Sequence, residues 1–241
     1  MTDAFEEVEE RIREERMSAA FKRFAPIAAA LFVLAVAGIG GWEFWKAQQA
    51  RAGEAFSAAM RAATELSAKG DLTSAAKAFG QLAERGPAGH RALALMELAG
   101  AQVSQGDVDA ALKTFDKAAE LSPDPILRDA ARLKAAYIAA DKQSLKAMEP
   151  RLTPIITGGS VFQFPARELL ALEALEAGEN ARAEEQFKFL TTALEAPPCI
   201  QWRAELGLFS LGKGAPPELS PQAVQRCAGQ ASPNQMMGPP G

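Results

Sequence analysis

The chain has 241 residues, a formal net charge of −4 and a single histidine. No basic tract is visible, which argues against a nucleic-acid surface, because phosphate backbones call for a positive footprint. One histidine leaves no Ser/His/Asp arrangement. There is no glycine-rich phosphate loop and no Cys-x-x-Cys, so nothing points to an enzyme, a cofactor or a metal. His90 itself reads as a surface or groove residue on a helix.

Residues 1–23 form a highly charged segment. Phe5, Val8, Ile12 and Arg16 recur at helical spacing, which fits either a solvated helix or a short docking helix. Residues 24–45 follow as an expected transmembrane helix. Phe24 through Trp42 carries no charge, and at about 1.5 Å per residue it can cross the hydrocarbon core. Trp42, Phe44 and Trp45 would form an aromatic belt at the far interface. Arg11, Arg13, Arg16, Lys22 and Arg23 outnumber the cations after the span, which places the N-terminus in the cytoplasm. A cleaved signal peptide and a buried core helix are the alternatives. The apolar run is long for a signal peptide and ends in the bulky stretch GWEFW.

Residues 46–214 carry a repeat of 36 residues. Ala63, Ala99, Ala135 and Ala171 share one column, and Ala75, Ala111, Ala147 and Ala183 another. Gly70, Gly106 and Gly178 lie on the same lattice, with Gly214 one step beyond and Lys142 in the missing slot. Phe79, Phe115 and Phe187 follow their glycines by nine residues. Such a period marks stacked helical hairpins. Small residues let the two helices of a hairpin cross closely, and the phenylalanines fill the space between hairpins. The third unit is degenerate: Arg151 replaces the phenylalanine, and Pro150 and Pro154 are expected to shorten its second helix. The loop ITGGSVFQFP after it is expected to open the array locally.

Residues 215–241 read as a capping segment and a disordered tail. A fifth first-helix is expected from Cys199 to Leu211, with a short helix from Pro221 to Cys227. Antiparallel arms would bring Cys199 and Cys227 together, either as a disulfide outside the cytoplasm or as two separate buried thiols. The expected fold class is all-α, a single N-terminal transmembrane helix followed by an α-solenoid.

GDVDAALKTFDKAAELSP and GDLTSAAKAFGQLAERGP resemble the tetratricopeptide repeat. GWEFW after the span, with ALALMELAGAQVSQGDVDAAL, ILRDAARLKAAYIAADK and RELLALEALEAGENARAEEQF, resembles the ancillary SecYEG translocon subunit (YfgM-like) family. That resemblance implies a single-pass inner-membrane protein with a periplasmic array. It implies the SecYEG translocon and the periplasmic chaperone PpiD as partners, with exported proteins as clients. A scaffold for cell division or cell-wall coordination has the same architecture and is the alternative.

Overall fold

The computed structural model describes residues 3–140, 142–216 and 227, with the backbone alone for residues 3–31 and 33. The described residues form nine α-helices: α1 (Asp3–Ala68), α2 (Leu72–Ala83), α3 (Ala88–Ser104), α4 (Val108–Leu121), α5 (Pro125–Ala139), α6 (Leu145–Thr157), α7 (Gln163–Glu176), α8 (Asn180–Thr192) and α9 (Pro198–Ser210). They divide into two compact units, Met1–Ala58 and Ala59–Gly241.

In the first unit, Phe32, Leu34, Val36, Ile39, Trp42, Phe44 and Trp45 are all exposed. The Trp42 and Trp45 rings lie 5.4 Å apart between centroids. Among the described residues, no helix is long and apolar enough to cross a membrane. The side chains of 24–31 and 33, which begin the expected span, lie outside the described residues. So do the side chains of the charged segment 1–23.

The second unit is the hairpin array. The first helices of the hairpins (the A row) are the end of α1, then α3, α5, α7 and α9. The second helices (the B row) are α2, α4, α6 and α8. Three A-to-B turns are built alike. Gly70, Gly106 and Gly178 adopt φ of +84°, +82° and +74°, which is cheap only without a Cβ. The turn closes with paired bonds: Gly70 and Asp71 N–H donate to Ser67 and Leu66 carbonyls, Gly106 and Asp107 to Val103 and Gln102, and Gly178 and Glu179 to Leu175 and Ala174. This is the Schellman closure. The acid after each of the first two glycines then caps the next helix. Asp71 Oδ1 accepts from Ser74 N and Asp107 Oδ1 from Ala110 N, each at 3.1 Å.

The A-row column of Ala63, Ala99, Ala135 and Ala171 is at most 1 % exposed. In the B row, Ala75, Ala111 and Ala183 are buried, as are Phe79, Phe115 and Phe187. The third hairpin corrects the sequence reading. Ala147 is exposed, and Met148 is buried in its place. Leu152, not position 151, is buried in the phenylalanine slot. Lys142 cannot cheaply adopt the left-handed conformation, so no Schellman turn forms. Lys142 and Gln143 N–H both donate to Ala139 O, α5 ends at Ala139, and Ser144 rather than position 143 caps α6. The inward face of α6 therefore slips by one residue. A longer Met in the small slot and a shorter Leu in the large one roughly conserve volume, which cores tolerate.

Two further expectations are corrected. Pro150 and Pro154 lie inside α6, which is as long as α8. Each proline removes one backbone bond, but Met148, Leu152 and Ile155 are fully buried and hold the helix. The glycine that closes α9 is Gly212, with φ +69°, not Gly214. Lys213 N–H donates to Leu208 O and Gly212 N–H to Phe209 O, the same closure two residues earlier. Residues 217–226 and 228–241, which hold most of the expected cap and tail, lie outside the described residues.

Candidate partner-binding surface

The two rows are not equivalent. α3 packs against α5 as well as α4, and α7 against α9 as well as α8, whereas neither α5 and α7 nor any two B helices make comparable contact. Apart from the step between α5 and α7, the A row is therefore the more closely spaced side of the array.

B helices are bridged by long side chains instead. Arg151 on α6 donates Nε and Nη2 to the two carboxylate oxygens of Asp116 on α4, at 2.9 and 2.6 Å. Its Nη1 also donates to Gln143 Oε1 at 3.2 Å. Hydrogen bonding to Asp116 pushes the Arg151 guanidinium above its ordinary value. Arg182 on α8 pairs with Glu149 on α6, which raises it likewise. The degenerate hairpin is thus tied by ion pairs to both neighbours.

On the A row, one constellation spans three helices. Glu168 on α7 is buried, and Arg203 on α9 grips both of its oxygens, Nη2 to Oε2 at 2.8 Å and Nε to Oε1. Two parallel charge-assisted bonds of this kind fix geometry as well as adding energy. Tyr137 on α5 stands beside this pair. Burial first, and then the Glu168 charge, pushes its phenol above the ordinary value, against a smaller opposing effect of Arg203. Yet Tyr137 presents 47 % of its surface to solvent. Leu172, one turn after Glu168, is also exposed, and so is Phe209, which occupies the Tyr137 column two repeats later. Two exposed aromatic rings, one aliphatic side chain and a pre-oriented ion pair suit a protein segment better than a small substrate.

The candidate residues read from sequence fall in three places. The alanine and phenylalanine columns pack the core, with Ala147 the exception. Gly70, Gly106 and Gly178 make turns rather than core contacts. Trp42, Phe44 and Trp45 lie exposed in the first unit. Cys199 and Cys227 form a disulfide with Cα atoms 5.2 Å apart. Tyr137 and Glu168 lie inside stretches that carry the family resemblance, but no motif singles out either of them or Arg203. The one available signal is an opposite-charge pair at nearly one repeat: Glu168 and Arg203 are 35 residues apart, as are Asp116 and Arg151.

The chain matches the tetratricopeptide repeat-like domain family over residues 19–153, more than half of its length. It belongs to that family, and its array is a tetratricopeptide-like helical-repeat scaffold. Among solved structures it is similar to a protein from Podosopora anserina described as a kinesin light chain of nearly identical TPR-like repeats, at 15 % identity over 72 % of this chain and 91 % of that one, with a TM-score of 0.47. It is similar also to MamA of AMB-1, at 14 % identity over 77 % of this chain and 98 % of that one, with a TM-score of 0.47. No curated protein matches the sequence.

Proposed function

We propose that this protein is a non-enzymatic scaffold, anchored in the inner membrane by residues 24–45, that holds a protein segment against the A-helix row in the periplasm. The observation that carries the reading is the Cys199–Cys227 disulfide in the last hairpin. Disulfides persist in oxidising compartments and are rare in the cytosol. The exposed apolar side chains from Phe32 to Trp45 on α1 support an anchor, since a helix apolar on every side asks for lipid or protein around it.

Within this reading the partners are the SecYEG translocon and PpiD, and the task is passing exported proteins to periplasmic chaperones. Support for this finer step is the resemblance of the span, GWEFW and the repeat stretches to the translocon-associated family. An anchor at the channel would raise the local concentration of the A row near emerging chains.

Copurification of the full chain from native membranes in mild detergent tests the partners. SecY and PpiD are expected in the eluate. Their absence, with division or cell-wall proteins in their place, would overturn the finer reading and leave the scaffold.

A further inference from the structure

Between the start of α5 and the end of α6 the array opens into a groove of about 410 Å³. It lies at the degenerate hairpin, and its shape is set by backbone. A Cβ on Gly158 would stand 2.6 Å from Pro154 O, and Gly159 has φ +68°. The chain therefore turns sharply off α6, and Ser160 Oγ accepts from Phe162 N to hold the loop. Val161 is left projecting at the rim, 68 % exposed, with Ile126 on α5 56 % exposed. Both line the groove, with Pro125 and Pro154.

The charged lining is unbalanced. Arg128, Asp129 and Arg132 all face the groove. Asp129 is buried, and its Oδ1 lies 3.3 Å from Arg132 Nη1. The same oxygen is 3.9 Å from Arg128 Nε, too far to accept a hydrogen bond. The Arg128 side chain is 38 % exposed, although its Nε is shielded from solvent and has no hydrogen-bond partner among the described residues. Such shielded, unmatched donors are rare and costly. Two guanidiniums and one carboxylate leave a net charge of +1, framed by two exposed aliphatic side chains.

We propose that this groove binds a protein segment in which an Asp or Glu is flanked by bulky apolar side chains. The carboxylate pairs with the exposed part of the Arg128 side chain, and the flanking side chains cover Ile126 and Val161. A wholly apolar segment would cover the exposed Arg128 charge without an acceptor, and a bare anion would leave both aliphatic side chains in water. The proposal rests on reading the array as a protein-binding scaffold, and it adds the chemistry of a client at a second position, away from Tyr137.

The test is fluorescence anisotropy on the full chain in detergent. The probe is a fluorescein-labelled ALELDLA peptide, with ALQLNLA as the neutral control. The acidic peptide is expected to bind at least tenfold more tightly than the control. Arg128→Gln is expected to weaken it at least tenfold, and Ile126→Ser severalfold, both with unchanged circular dichroism melting. Equal binding of the two peptides, or undiminished binding by Arg128→Gln, overturns the proposal. So does displacement by inorganic phosphate with Ile126→Ser indifferent, which marks an anion site only. Absence of binding by the wild-type chain overturns it as well. Copurification of SecY and PpiD with Arg128→Gln is read separately, so this inference can fail while the scaffold reading stands.

Discussion

Arg151 and Asp116 are 35 residues apart, one short of a full repeat, and face each other through two parallel hydrogen bonds, from Nε and Nη2 to the two carboxylate oxygens. The arginine occupies the lattice position that holds phenylalanine in the other hairpins. It could leave the core only because the face of α6 slipped by one residue and put Leu152 in the vacated space. Asp116→Asn keeps the shape and removes the charge. The pair is partly exposed, so solvent discounts it, and the expected loss is about 1 kcal/mol. Urea denaturation of the full chain in detergent measures it, and the loss is expected to shrink at high salt.

The slip itself is tested by a pair of substitutions. Met148→Ala empties a fully buried site and is expected to cost about 2–5 kcal/mol. Ala147→Ser changes an exposed side chain and is expected to stay within about 0.5 kcal/mol. If the two costs came out reversed, the 36-residue lattice would run unbroken through α6.

Gly207 continues the column of Ala63, Ala99, Ala135 and Ala171, yet even alanine does not fit there. A Cβ would stand 2.5 Å from Phe187 Cζ, and that ring is 1 % exposed with nowhere to retreat. Gly207→Ala is therefore expected to destabilise by about 1–3 kcal/mol through overpacking, although alanine favours helix by about 1 kcal/mol. A rise in the thermal midpoint would contradict this packing.

The regular turns were readable in the sequence for a physical reason. A glycine supplies the left-handed residue, the acid after Gly70 and Gly106 caps the next helix, and both chemistries are local. The alanine columns were readable because close helix crossing excludes larger side chains at fixed intervals. The slip in α6 was not readable, because the lattice resumes at Ala171 and leaves no net change in spacing. Lys142 in the glycine slot marks an irregular turn, but it does not say which way the register of α6 moves. The Tyr137, Glu168 and Arg203 cluster was equally hidden. It joins three helices that meet only after stacking, and single polar residues on helices ordinarily read as solvated surface.

Tyr137 is the only tyrosine in the chain, so phenolate absorbance near 295 nm reports it alone. Its folded pKa is raised, so its contribution to stability is complete below the unfolded value, about 10. That contribution is lost as pH rises through the higher folded value. A titration midpoint above 10 is expected, and Glu168→Gln should lower it by removing the neighbouring negative charge. A midpoint unmoved by Glu168→Gln would separate the two residues.

The disulfide closes a separation of 28 residues. Cys199→Ser with Cys227→Ser is expected to cost about 3–4 kcal/mol on chain-entropy grounds. Intact mass of the chain from native membranes, alkylated without reductant, should show no modified thiol.

The central claim is that the A row, not the B row, meets the partner. Photocrosslinking in native membranes from Tyr137, compared with the exposed Lys113 on α4, tests it most directly. Adducts with SecY, PpiD or an exported protein from position 137, and none from 113, are the expected result. Equal adducts from both positions, or adducts from 113 alone, would contradict it.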